Sequence, residues 1–179
     1  PVFTLGDGNR SILTPTILRS PDGTVLRENG RLRMWFVSTD LVNGNGLHTL
    51  QESASIDGQT WVPPGEALLQ NVYAPTIIKE EGRYMMWYID VASDPWYVRY
   101  AESRDGTIWE AFEGPVLQLD QDWEAGRLFY PTVVKCDGRY LMWYGSYFGP
   151  EKQRTALGFA ISGEGRKWVK HPENPVFEP

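Results

Sequence analysis

Apolar and polar positions alternate in short blocks along this chain, and one block sets the pattern. Ala74-Pro75-Thr76-Ile77-Ile78-Lys79-Glu80-Glu81-Gly82-Arg83-Tyr84-Met85-Met86-Trp87-Tyr88 places an apolar run, a polar Glu-Glu-Gly-Arg break and a second apolar run in succession. That order predicts a strand, a tight turn and a second strand. The block recurs as Tyr130-Pro131-Thr132-Val133-Val134-Lys135-Cys136-Asp137-Gly138-Arg139-Tyr140-Leu141-Met142-Trp143-Tyr144. A looser copy precedes both: Thr14-Pro15-Thr16-Ile17-Leu18-Arg19, a longer insertion, then Gly30-Arg31-Leu32-Arg33-Met34-Trp35-Phe36. Internal repetition of this kind decides the fold before any local detail does.

A second signature follows each block. Ser55-Ile56-Asp57-Gly58-Gln59-Thr60-Trp61 matches Ser103-Arg104-Asp105-Gly106-Thr107-Ile108-Trp109, and Ser162-Gly163-Glu164-Gly165-Arg166-Lys167-Trp168 is the last copy. Asp-Gly between two β-rich runs marks a hairpin, because glycine accepts the positive φ of the turn. Short apolar elements come after each Trp: Ala67-Leu68-Leu69, Pro115-Val116-Leu117 and Pro175-Val176-Phe177. One unit therefore holds four short strands. The period is 60 residues from Pro15 to Pro75 and 56 from Pro75 to Pro131. Four strands per unit is the blade of a β-propeller. The fold expected is all-β, one propeller domain over 1–179, with repeats at approximately 11–70, 71–118 and 119–179. No amphipathic helix interrupts it. Pro1-Val2-Phe3 resembles Pro175-Val176-Phe177, so the chain starts and stops at equivalent points of the period. Three blades do not close a ring of the usual four to eight. Either this is a piece of a longer propeller, or two chains meet about a two-fold axis as a homodimer of six blades.

Composition narrows the partners. A net charge of −6 provides no basic face for phosphate, so no nucleic-acid partner is expected. No apolar run reaches the roughly 18 residues of a membrane span, and no membrane partner is expected. No signal peptide is visible and the compartment stays open. The single Cys136 excludes an internal disulfide and a thiol-rich metal site. His48 and His171 lack metal-ligand spacing, so neither metal nor cofactor is expected.

Taken together, Pro-Thr-apolar-apolar-Lys, Gly-Arg-Tyr-x-Met-Trp-Tyr and Ser-x-Asp-Gly-x-x-Trp resemble the five-bladed β-propeller glycoside hydrolases. That superfamily includes the family 43 arabinanases and xylosidases, the invertases and levansucrases of families 32 and 68, and the family 130 mannoside phosphorylases. The resemblance spans essentially the whole chain and implies a carbohydrate-active propeller that binds or cleaves a glycoside in its central depression. The family commonly sets an Asp just before the Pro that opens an innermost strand. Here those places hold Thr14, Ala74 and Tyr130, and the places one residue earlier hold Leu13, Tyr73 and Phe129. No carboxylate stands at any of them. The alternative is therefore a non-catalytic sugar-binding or self-assembling module.

Candidate site residues follow from departures from the repeat. Six Trp are in register (Trp35, Trp87 and Trp143; Trp61, Trp109 and Trp168) and are expected to pack between blades. Trp96 and Trp123 break the register, near Tyr73, Tyr130, Tyr147, Asp90 and Asp94. Aromatic rings beside carboxylates suit a sugar, whose apolar face stacks while its hydroxyls donate. Glycoside hydrolysis needs two carboxylates. Asp90 is the catalytic candidate because its repeat counterparts, Ser38 and Ser146, are not acidic. In a two-chain ring it would occur twice around the channel. Glu124 belongs with the loop acids Asp40, Asp94, Asp120 and Asp122, and is set beside Trp123 as a substrate contact. Arg99 is either a bidentate clamp for an anionic group or the partner of Glu102 or Asp90.

Overall fold

The computed structural model describes residues 10–40, 47–149, 151 and 154–178. Pro1-Val2-Phe3 lies outside the described residues, and so does the side chain of Asp40. Twelve strands form three four-stranded antiparallel sheets. The first contains β1 (Arg10–Ile17), β2 (Leu32–Asp40), β3 (His48–Ser55) and β4 (Leu69–Gln70). The second contains β5 (Val72–Glu80), β6 (Arg83–Asp90), β7 (Tyr97–Ser103) and β8 (Glu110–Ala111). The third contains β9 (Glu124–Cys136), β10 (Arg139–Phe148), β11 (Arg154–Ser162) and β12 (Val169–Lys170). Strand order within each sheet follows the chain, so each is an up-and-down blade. The architecture is an all-β propeller with three blades and no closed ring among the described residues.

Each blade has a leading face toward the previous blade and a trailing face toward the next. The core is two layers between blades. Trp35, Val37 and Leu50 of blade 1 meet Ile77, Tyr84, Met86 and Trp109 of blade 2. Met85, Trp87, Ile89 and Tyr100 of blade 2 meet Val133, Tyr140 and Met142 of blade 3. A strand buried on both faces needs no alternation of apolar and polar residues, which is why β6 is buried from Tyr84 to Asp90.

Trp35 and Trp87 are fully buried, as their register predicts, but Trp143 is 38% exposed. Its place in the repeat is the same, but no blade among the described residues packs against it. The Asp-Gly turns are built as expected. The Asp57 carboxylate accepts the backbone N–H groups of Gln59 at 2.8 Å and Thr60 at 2.7 Å, which lowers its pKa to about 2. Asp105 does the same for Thr107 and Ile108.

Candidate functional site

The innermost strands β1, β5 and β9 line a common groove of about 460 Å³ with Thr14, Thr16, Arg19, Ala74, Thr76, Tyr130 and Thr132 among its walls. Each strand carries an irregularity at the same point, where pairing shifts between Leu13 and Thr16, between Tyr73 and Thr76, and between Phe129 and Thr132. A bulge inserts a residue, turns the strand and re-aims a side chain. At all three the residue before the proline is left-handed, with φ of 45° at Thr14, 48° at Ala74 and 45° at Tyr130. Thr14, Ala74 and Tyr130, the places where the resemblance would set an acid, all line the groove wall. They hold a hydroxyl, a methyl and a phenol. The Thr14 Oγ1 is buried without a hydrogen-bond partner among the described residues.

An aromatic cluster gathers at the same end of blades 2 and 3. The Tyr73 and Tyr130 hydroxyls are 2.8 Å apart and their rings 5.6 Å. Trp96 lies 5.9 Å from Tyr73, and the Arg127 guanidinium sits 4.2 Å over the Trp96 ring. The Trp96 carbonyl accepts the backbone N–H of Leu128 at 3.0 Å, which fixes this loop against β9. Phe129 joins Tyr130 to Tyr147, stacking edge-on against the latter at 4.9 Å. His48 packs edge-on against Tyr73 at 5.5 Å. Tyr130 is 56% exposed, so the cluster presents a phenol face to solvent. Burial, reinforced by the hydrogen bond and charge of Tyr130, pushes the Tyr73 pKa up and keeps that hydroxyl neutral.

The structure thus brings Tyr73, Trp96, Tyr130 and Tyr147 together and places the other candidates elsewhere. Arg99 and Asp90 form one ion pair, Nη1 to Oδ2 at 3.2 Å. Arg99 also donates to the Phe112 carbonyl at 2.5 Å, and Asp90 accepts the Ala92 N–H at 2.9 Å. Asp90 is buried and is not part of the groove wall. Trp123 and Glu124 belong to a network at the start of β9. The Lys170 ammonium is 2.7 Å from both Glu124 oxygens. Tyr144 donates to Glu124 at 2.8 Å, and Trp123 donates its indole N–H to Gln121 at 2.9 Å. The Glu124 side chain is fully buried, and with every partner in place it joins the strand to its loop. Asp94 is exposed. His48, Arg127 and Phe129 complete the cluster although nothing in the repeat pattern marks them as ligand contacts. Phe129 alone left a trace, as one of two successive aromatics before a Pro. Among the described residues no three His, Cys, Asp or Glu side chains are grouped to hold a metal ion, and no helix is long and apolar enough to cross a membrane.

No family model and no curated protein matches the sequence. Solved structures do match in shape. The BT0996 complex with RGII is 20% identical with a TM-score of 0.77, covering 99% of this chain and 61% of that one. Zg3597, a family 117 glycoside hydrolase of the marine bacterium Zobellia galactanivorans, is 18% identical with a TM-score of 0.76, covering 96% and 58%. The inulosucrase of Halalkalicoccus jeotgali bound to kestose is 14% identical with a TM-score of 0.73, covering 91% and 52%. The fold is that of the β-propeller glycoside hydrolases, as the repeat motifs imply. This chain spans about three fifths of the first two of those chains.

Proposed function

We propose that this propeller binds a carbohydrate at the groove mouth, with Tyr73, Trp96, Tyr130 and Tyr147 as the contact surface. The observation that carries the reading is the Tyr73–Tyr130 hydroxyl pair on an exposed aromatic face at the rim of the groove. Rings present flat apolar area to the C–H face of a pyranose or furanose while the two hydroxyls exchange hydrogen bonds with its oxygens. Binding is favoured over cleavage on these three blades, because all three bulge sockets lack a carboxylate and Asp90 is neutralised by Arg99. Hydrolysis would need acids supplied from outside them.

The test is a tryptophan-fluorescence titration with neutral oligosaccharides beside a panel of aryl glycosides. Saturable quenching that disappears in Tyr130→Ala and Trp96→Ala, with no aryl-group release, is the expected result. Quenching unchanged by both substitutions, or turnover that depends on Asp90, overturns it.

A further inference from the structure

Two departures from the repeat meet where blade 2 faces blade 3, an interface that lies wholly within the chain. The first is Trp96, in whose place the other blades carry His48 and Thr155. The second is on β9. Among the described residues β1 and β5 each carry one shift of pairing, at the bulge around the proline. β9 carries that shift and another: Ser146 of β10 pairs with Leu128, but its neighbour Tyr147 pairs with Ala125. Gly126 and Arg127 are left over between them, and Gly126 takes a φ of 77°. A bulge turns its strand and re-aims a side chain. The side chain re-aimed here is Arg127.

The two departures are built onto each other. Trp96 and Arg127 form a parallel bridge, and the Arg127 guanidinium lies 4.2 Å over the Trp96 ring. From that ring the aromatic surface continues to Tyr73 at 5.9 Å and on to Tyr130 at a further 5.6 Å. Arg127 is exposed, and its guanidinium makes no hydrogen bond or ion pair among the described residues. Asp94, two residues before Trp96, is exposed and does not pair with it. Arg33, Lys79, Arg99, Lys135 and Lys170, by contrast, are each held by a carboxylate.

The chemistry of the pair is directional. A guanidinium stacked on an aromatic face keeps its in-plane N–H groups for another partner, and those groups form a rigid fork whose spacing matches the two oxygens of a carboxylate. The stack also holds the cation in place before a ligand arrives, so less side-chain freedom is lost on binding. The chain as a whole opposes an acidic ligand, with a net charge of −6. A preference for an anion at this rim must therefore come from a local cation, and Arg127 is placed to supply it.

The geometry points to an acidic carbohydrate: a uronic acid residue whose carboxylate is taken bidentate by Arg127 while the sugar rings lie along Tyr73 and Tyr130. The inference rests on the carbohydrate reading of this site and names its ligand class. Trp96 acts through Arg127 as a positioning residue. A sulfate ester would also attract a guanidinium, but the flat pair of carboxylate oxygens is the closer match to the fork.

The test is isothermal titration calorimetry of the full chain. The probes are oligomers of galacturonate, glucuronate and mannuronate, each beside the same oligomer with its carboxyls reduced to primary alcohols, together with a sulfated neutral oligosaccharide. At least one uronide is expected to bind about tenfold tighter than its reduced partner, the factor that corresponds to about 1.4 kcal/mol. In Arg127→Gln, with folding checked by circular dichroism, that ratio should fall to near one. In Arg127→Lys, which keeps the charge without the fork, it should be intermediate. A wild-type ratio near one, a ratio that Arg127→Gln leaves unchanged, or a sulfated oligosaccharide preferred to every uronide overturns the uronate assignment alone. Arg127→Lys at the wild-type ratio overturns the bidentate contact. No binding of any saccharide, acidic or neutral, overturns the carbohydrate reading and this inference with it.

Discussion

The trailing faces of blades 2 and 3 are built from nearly the same side chains and have opposite fates. Met85, Trp87 and Tyr100 are fully buried, whereas Leu141, Trp143 and Phe159 in the same places are half-buried or exposed. Nothing in the strands accounts for this. Blade 3 presents the Gly165 turn and Met142 to the first set, and no blade among the described residues presents its counterpart to the second. Burial in a propeller is conferred by the neighbour, so the core of each unit belongs jointly to two of them.

Substituting the two tryptophans breaks the comparison most sharply. Trp87→Ala is expected to cost about 3–5 kcal/mol, the range for emptying a buried aromatic site, and Trp143→Ala about 1 kcal/mol in the monomer, since a partly exposed side chain has less transfer free energy to lose. Urea unfolding of each monomeric variant gives the two values, and equal losses would mean that Trp143 is already covered.

The glycines of the turns come next. Gly165→Ala sets a methyl 2.8 Å from the Trp87 ring at a φ of +82°, and about 2–4 kcal/mol is expected from overpacking together with left-handed strain. Gly58→Ala carries the backbone strain alone, at about 1–2 kcal/mol. Thermal unfolding of both variants measures the gap between a turn with an indole from the previous blade and a turn without one.

A smaller effect is pH-dependent. Burial raises the Glu28 pKa, but the hydrogen bonds from Lys79, Tyr84 and Arg33 outweigh it and hold the carboxyl at about 2, below its ordinary 4.5. A depressed folded pKa means stabilisation that is complete above pH 4.5 and is lost as pH falls toward 2. Glu28→Gln should flatten stability against pH across that window. Glu80 is lowered in the same direction by Lys135 and Tyr140, and Glu80→Gln should act likewise. The smallest change expected is Cys136→Glu. It sets an acid on an exposed edge, so chain stability should stay within about 0.5 kcal/mol.

Much of the fold was legible because the repeat states it three times. The Pro-Thr openings, the Met-Trp runs and the Asp-Gly turns each correspond to a physical part: an inner-strand bulge, a trailing-face ring and a capped hairpin. Trp143 shows where legibility stops, since its register announces a buried ring and its exposure depends on a surface that the repeat does not contain. The site was harder to read. Tyr130 stood out because it directly precedes a proline, Tyr73 because it is one residue further from its own, and Trp96 by leaving the register. The Asp90–Arg99 pair follows from cross-strand neighbours on β6 and β7, where Tyr88 faces Arg99 and Asp90 faces Tyr97. Glu124 was beyond reach: its partner Lys170 comes from the last strand, 46 residues on, and no local pattern announces the pairing. Arg127 over Trp96 is equally a product of loop placement.

The three left-handed residues at the bulges have a consequence for how such a molecule can change. Thr14, Ala74 and Tyr130 occupy a backbone region where aspartate and asparagine are several-fold favoured among non-glycine residues. Each lines the common groove, so an aspartate in its place would set a carboxylate on the groove wall. An inert scaffold and a reactive one would then differ by side chains that the fold already tolerates, and a lineage can pass between them without relearning how to fold.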